Sequence, residues 1–140
     1  MNIIVVGCSR LGTRLAKICS QAGHEVNVID PNLNSAHIRL GNDFRGHIYK
    51  GVGIDLSVLE KAGIKSADVL VAATNRDSSN LVTAQIAKEK YGVAKVVARV
   101  YDPAAVEAYK DMGLTIFCPT LIGVDSILGF VEKQDQGGNK

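Results

Sequence analysis

Ile3-Ile4-Val5-Val6 runs directly into Gly7-Cys8-Ser9-Arg10-Leu11-Gly12, then into a segment of helical periodicity, then into a second apolar strand that ends in Asp30. That order of strand, glycine turn, helix, strand and acid constrains the chain to a βαβ unit of the dinucleotide-binding kind. In such a unit the turn aims a helix N-terminus at a pyrophosphate, and the acid accepts hydrogen bonds from ribose hydroxyls. A pair of glycines alone would say little, because glycine also ends strands for steric reasons. Here the context is complete: apolar positions recur at helical spacing over 13–19, Gly23 stops the helix, and Glu25-Val26-Asn27-Val28-Ile29 is the next strand. The middle glycine of the fingerprint is replaced by Ser9, which keeps its N–H and adds a hydroxyl donor. We read this as a modified site.

The alternation continues. Helices are expected over 33–41, 56–62, 79–91 and 104–112, and strands at 47–49, 69–73, 96–100 and 115–117. This pattern predicts an α/β fold, a Rossmann-like doubly wound parallel sheet of six strands in the order 3-2-1-4-5-6. Its ligand belongs at the carboxyl ends of strands one and four, where the order reverses. Three loops fall at that edge: Asp30-Pro31-Asn32, Gly51-Val52-Gly53-Ile54-Asp55 and Ala73-Thr74-Asn75-Arg76-Asp77. Thr74 and Asn75 offer short donors and acceptors for a ribose or a base edge. Gly51 and Gly53 either let a flat base lie against backbone or simply make a turn. Asp55, just before Leu56-Ser57-Val58-Leu59, reads as a helix cap.

At 140 residues the chain is expected to form one domain without a separate catalytic domain. No apolar run approaches the roughly 18 residues of a membrane span, and no basic leader precedes the first strand, so a cytoplasmic protein without direct membrane insertion is expected. The net charge of +2 is spread along the chain and aromatic residues make up 5%, which argues against nucleic acid as a partner. Cys8, Cys19 and Cys118 share no metal-ligand spacing, so no metal site is expected, and reduced thiols are. Cys8 stands at a helix N-terminus, where a thiolate would be stabilised and could sense redox state; the plainer reading is an ordinary variable loop position. His24, His37 and His47 are scattered and read as surface residues.

With these residues in hand, the chain resembles the KTN, or RCK N-terminal (TrkA-N), nucleotide-binding domain of Trk-type potassium uptake regulators. The resemblance rests on Ile4 to Gly12, on Gly23-His24-Glu25-Val26 leading to Ile29-Asp30, and on Gly51 to Asp55 followed by Leu59-Glu60-Lys61-Ala62-Gly63-Ile64. It also rests on Ala67-Asp68, Asp77-Ser78-Ser79-Asn80 and Ala98-Arg99-Val100. It implies a non-catalytic domain that binds NAD(H), ATP, ADP or AMP and transmits ligand state to a membrane potassium transporter or channel, placed in the cytoplasm and peripheral to the membrane through that partner. Carried over by position, Gly7, Cys8, Ser9, Arg10, Leu11 and Gly12 form the phosphate loop and Asp30 with Pro31 the ribose edge. Val52, Gly53 and Ile54 flank the adenine, Ala73, Thr74 and Asn75 form the strand-four edge, and Asn80 and Arg99 are polar positions facing the cleft. Arg10 corresponds to a residue that can reach a terminal phosphate.

The chain also departs from the family. Val52 stands where an acid is usual, which removes an acceptor near the adenine, and Thr120 follows Pro119 where many members have an acid. The resemblance therefore carries over neither base selectivity nor a cation bridged by that acid. The expected divisions are a nucleotide-binding domain at 1–119, a crossover helix at 120–133 and a disordered polar tail at 134–140. Leu121, Ile122, Val124, Ile127, Leu128, Phe130 and Val131 make that helix more apolar than one sheet face requires, and the resemblance implies a homodimer through it, with a larger ring as a further step. Two other function classes compete: a small NAD-dependent oxidoreductase, which lacks an evident proton-transfer residue, and a redox-sensing repressor, which lacks a DNA-reading element.

Overall fold

A computed structural model describes residues 1–138, with side chains described through Lys133. Six parallel strands, β1 (Asn2–Val6), β2 (Glu25–Asp30), β3 (His47–Lys50), β4 (Val69–Ala72), β5 (Lys95–Arg99) and β6 (Thr115–Phe117), form one sheet in the order β3-β2-β1-β4-β5-β6. The helices between them are α1 (Arg10–Gln21), α2 (Leu33–Leu40), α3 (Leu56–Lys61), α4 (Asp77–Gln85) and α5 (Pro103–Tyr109), and α6 (Pro119–Gly138) follows β6. β1 pairs with both β2 and β4, so Val6 lies beside Ile29 on one side and Ala72 on the other. The chain turns away in opposite directions after these central strands, which opens a crevice at their carboxyl ends.

Strand alternation divides the core into two layers. Ile4 and Val6 of β1 face Leu59, Ile64, Leu81 and Ala84 on the side of α3 and α4, whereas Ile3 and Val5 face Ala16, Ala36 and Leu40 on the side of α1 and α2. α1 buries Gly12, Ala16 and Ser20, a stripe at four-residue spacing. Gly12 is the hinge of that packing, because a Cβ there would overlap the Gly7 carbonyl oxygen.

Four local features differ from the sequence expectation. The helix expected over 79–91 begins at Asp77, whose carboxylate accepts the Tyr101 and Asp102 N–H groups, and loosens into a π turn over Ile86–Lys90. The helix expected over 104–112 tightens into a 3₁₀ turn over Lys110–Met112, and a further 3₁₀ turn covers Ile64–Ser66. Helix formers Glu132, Lys133 and Gln134 carry α6 through Gly138, past the tail boundary expected at Gln134, while 139–140 lie outside the described residues. Ile127, Phe130 and Leu128 on α6 are 65%, 63% and 51% exposed, so the sheet does not cover the helix's apolar side. Among the described residues no helix is long and apolar enough to cross a membrane, and no cluster of His, Cys, Asp and Glu is placed to hold a metal.

Candidate functional site

The crevice at the ends of β1 and β4 is a cleft of about 450 Å³, lined by the loops after β1, β2, β3 and β4 and by the first turns of α4. Its back wall is the turn into α1. Gly7 has φ +102°, and a Cβ there would stand 2.9 Å from the Thr74 backbone, so only glycine lets the two loops meet. Ser9 caps α1: its hydroxyl oxygen accepts the Gly12 N–H at 3.1 Å. The same hydroxyl donates its one proton to the Ala73 carbonyl at 2.7 Å. The expected extra donor for a ligand is therefore committed to holding α1 against the end of β4. Between the Cys8 N–H, which Asp30 accepts, and the capped Gly12 N–H, the amides of Ser9, Arg10 and Leu11 have no acceptor among the described residues. Unpaired amides at a positive helix end are chemically suited to an anion.

Asp30 closes the opposite rim. Its Oδ2 accepts the Cys8 N–H at 2.8 Å and its Oδ1 accepts the Asn32 N–H at 2.9 Å, which fixes the carboxylate in the cleft. Each oxygen retains a lone pair, which suits it to accept from vicinal hydroxyls. Arg39, from α2, lines the cleft beside it and donates to the Cys8 carbonyl. Nothing in the local sequence pattern marked Arg39; it arrives because α2 packs alongside α1.

Beneath the loop after β4 lies a buried polar staple. Asn80, fully buried, accepts the Thr74 N–H at 2.9 Å and the Thr74 hydroxyl at 2.6 Å through Oδ1, and donates Nδ2 to the Thr74 and Arg99 carbonyls at 3.0 and 2.9 Å. Arg99, 4% exposed, donates Nη2 to the Thr74 carbonyl at 2.8 Å and to Asn75 Oδ1 at 3.1 Å, and Nη1 to Ser9 Oγ at 3.4 Å. Its guanidinium lies 4.3 Å from the centre of the Tyr101 ring. Neither ion pair among the described residues involves it, and its Nε has no hydrogen-bond partner there. A buried cation without a carboxylate is costly, and a nearby anionic ligand would offset that cost.

Of the residues expected in the site, the cleft brings together Gly7, Cys8, Ser9, Asp30, Pro31, Val52, Gly53, Ile54, Thr74 and Asn75. Leu11, Gly12 and Ala73 lie behind the lining as packing and backbone support. Asn80 and Arg99, expected to face the cleft, are instead enclosed under its floor, because their polar groups are drawn to the Thr74 loop. Arg10 faces a neighbouring groove on the outer side of α1. Arg76 lines the cleft as part of the loop expected there after β4, and Ser79 and Thr83 line it without having been expected; Thr83 sits two turns into a helix whose apolar pattern gave it no special status. Gly51 and Gly53 are both required by packing, since a Cβ would stand 2.6 Å from Val58 and 2.7 Å from Thr83 respectively. Both also line the cleft. Asp55 caps α3, its Oδ1 accepting the Ser57 N–H at 2.9 Å. The redox reading of Cys8 does not hold: the thiol is buried among apolar side chains, and that burial, reinforced by the Asp30 carboxylate, pushes it from 9.0 up to about 11.

The model of the TrkA-N domain matches residues 3–119. The Trk system potassium uptake protein TrkA of Streptomyces coelicolor is 41% identical over 114 residues, covering 81% of this chain and 51% of that protein. The homologue from Methanothermobacter thermautotrophicus is 34% identical over 114 residues, covering 81% and 52%. The chain thus spans about half the length of the curated relatives it matches. Solved structures share the fold at low identity. The TrkA-N domain of the inner membrane protein ybaL from Escherichia coli superposes with a TM-score of 0.80 at 14% identity, covering 92% of this chain and 95% of that one. The Kef CTD of Shewanella denitrificans in AMP-bound form gives 0.77 at 24%, covering 100% and 84%. GsuK bound to ADP gives 0.77 at 20%, covering 95% and 34%.

Proposed function

The chain belongs to the TrkA-N domain family, and from that premise we propose that it is the nucleotide-binding part of a regulator of potassium uptake, holding NAD(H), ATP, ADP or AMP in the cleft and gating a membrane potassium transporter or channel. One observation carries the nucleotide reading: Asp30 and Ser9, where the free amides of α1 begin, line the same cleft at the switch point of the sheet. The first is an acceptor for a ribose diol, and those amides are a cradle for the phosphate attached to it. A 2′-phosphate on that ribose would meet the Asp30 carboxylate, which disfavours NADP.

The role is binding, not catalysis. Among the described residues the cleft lining carries no His, Tyr or Lys, its one thiol is held protonated, and its one carboxylate is engaged by two backbone amides. This favours a sensor over an oxidoreductase, whose hydride transfer would be coupled to a proton-transfer group. The domain acts in the cytoplasm, reaches the membrane through its transporter partner, and pairs with a second copy through α6, with ring assembly as a further step.

Calorimetric titration of the chain with AMP, ADP, ATP, NAD and NADP tests the reading. Saturable binding of at least one of the first four, with NADP weaker than NAD, is expected. No binding of any of them would overturn it.

A further inference from the structure

Outside the cleft, the exposed side of α1 forms one wall of a second groove of about 680 Å³ whose lining includes Arg10, Arg14, Lys17 and, from α2, Arg39. Arg10, Arg14 and Lys17 follow one another at four- and three-residue spacing, so they stand in a row on one helix face, about 10 Å from first to last. Among the described residues no acidic side chain lines the groove, and none of its four cations belongs to an ion pair. Crowding like charges costs free energy that an anion would return. The groove is not separate from the cleft: Ser9 and Arg39 line both, so the free amides at the start of α1 open onto the row of cations.

We propose that this groove is a subsite for a chain of phosphoryl groups, with Arg14, Lys17 and Arg39 holding the part of it that extends beyond the α1 amides. A single phosphate on a ribose at Asp30 ends at those amides; a second and third pass Ser9 and enter the groove, where guanidinium and ammonium donors meet phosphoryl oxygens. The shared chemistry has two sources, the tail of a nucleotide seated in the cleft or a free inorganic polyphosphate, and the first rests on the nucleotide reading above.

The test compares wild type with the double variant Arg14→Gln/Lys17→Gln, and with Arg14→Lys/Lys17→Arg as the conservative control, by calorimetry with AMP, ATP and inorganic tripolyphosphate. The double variant should lose about tenfold in ATP affinity and less than twofold in AMP affinity, and the control should keep both. Tripolyphosphate binding that falls in the double variant supports the groove with a free chain as its source. ATP loss without any tripolyphosphate binding supports it with the nucleotide tail as its source. An unchanged ratio of ATP to AMP affinity, with no tripolyphosphate effect, overturns the groove and leaves the cleft reading intact. Failure of wild type to bind AMP and ATP, with tripolyphosphate still lost in the double variant, overturns the cleft reading and keeps the groove. Binding to vesicles of anionic phospholipid, with neither tripolyphosphate nor the ATP to AMP ratio affected, overturns the proposal in favour of a membrane surface.

Discussion

The Ser9 hydroxyl and the Ala73 carbonyl meet at 2.7 Å, joining residues 64 positions apart across the seam between β1 and β4. The same oxygen caps α1. Ser9→Ala removes both bonds, leaving a buried carbonyl unpaired and a helix uncapped, and should destabilise the fold by about 2 kcal/mol. Urea denaturation should show a lower midpoint at unchanged m-value; an unaltered midpoint would refute the structural role.

Asp30 is expected to anchor the ribose. Asp30→Ala should weaken binding of whichever nucleotide the wild type prefers by roughly 1.5–3 kcal/mol, the range for hydrogen bonds to a charged group. Asp30→Asn keeps one acceptor oxygen and should lose less. Calorimetry finding equal affinity in all three proteins would remove Asp30 from the site.

Cys8 gives the fold an alkaline limit. Its thiol ionises near 9 in the unfolded chain and only at about 11 when folded, so its contribution is complete below pH 9 and is lost as pH rises from about 9 to 11. The loss is of order 2–3 kcal/mol. Denaturation midpoints measured across that window should fall in wild type and flatten in Cys8→Ala. Parallel curves for the two proteins would show that another group sets the limit.

The outward side of α6 should be a subunit contact. Leu128→Asp with Phe130→Asp places two carboxylates where 51% and 63% exposed apolar side chains stand, so a dimer held there should give way to monomers. Multi-angle light scattering reads the mass directly. A monomer for the unmodified chain at high concentration would dispose of the α6 dimer.

What was legible in the sequence is what is encoded locally. The strand–turn–helix–strand order and the acid at Asp30 lie within thirty consecutive residues, and each loop of the cleft could be placed because it follows a strand. The fates of Asn80 and Arg99 depend instead on side-chain direction across three neighbouring elements. Periodicity marks such residues as polar and well positioned, but not as enclosed. Arg39 was invisible for the complementary reason: it stands in a short, weakly patterned helix, and its reach to the Cys8 carbonyl follows from how α2 packs on α1. Ser9 was legible as a change of residue but not as a change of job, since its partner Ala73 is remote in sequence.

The staple formed by Ser9, Asn80 and Arg99 has a mechanical consequence. The loops after β1 and β4 cannot part without breaking the bonds from Ser9 to Ala73 and from Arg99 to Ser9, while Arg99 and Asn80 tie the loop after β4 to the end of β5. A pull on either loop is therefore borne by a braced frame that includes the tip of β5, the strand beside β6, which leads into α6. The loops after β1 and β4 are braced as a single stiff member, and the compliance of the domain is left to the β2 and β3 side, where Asp30 meets only backbone amides.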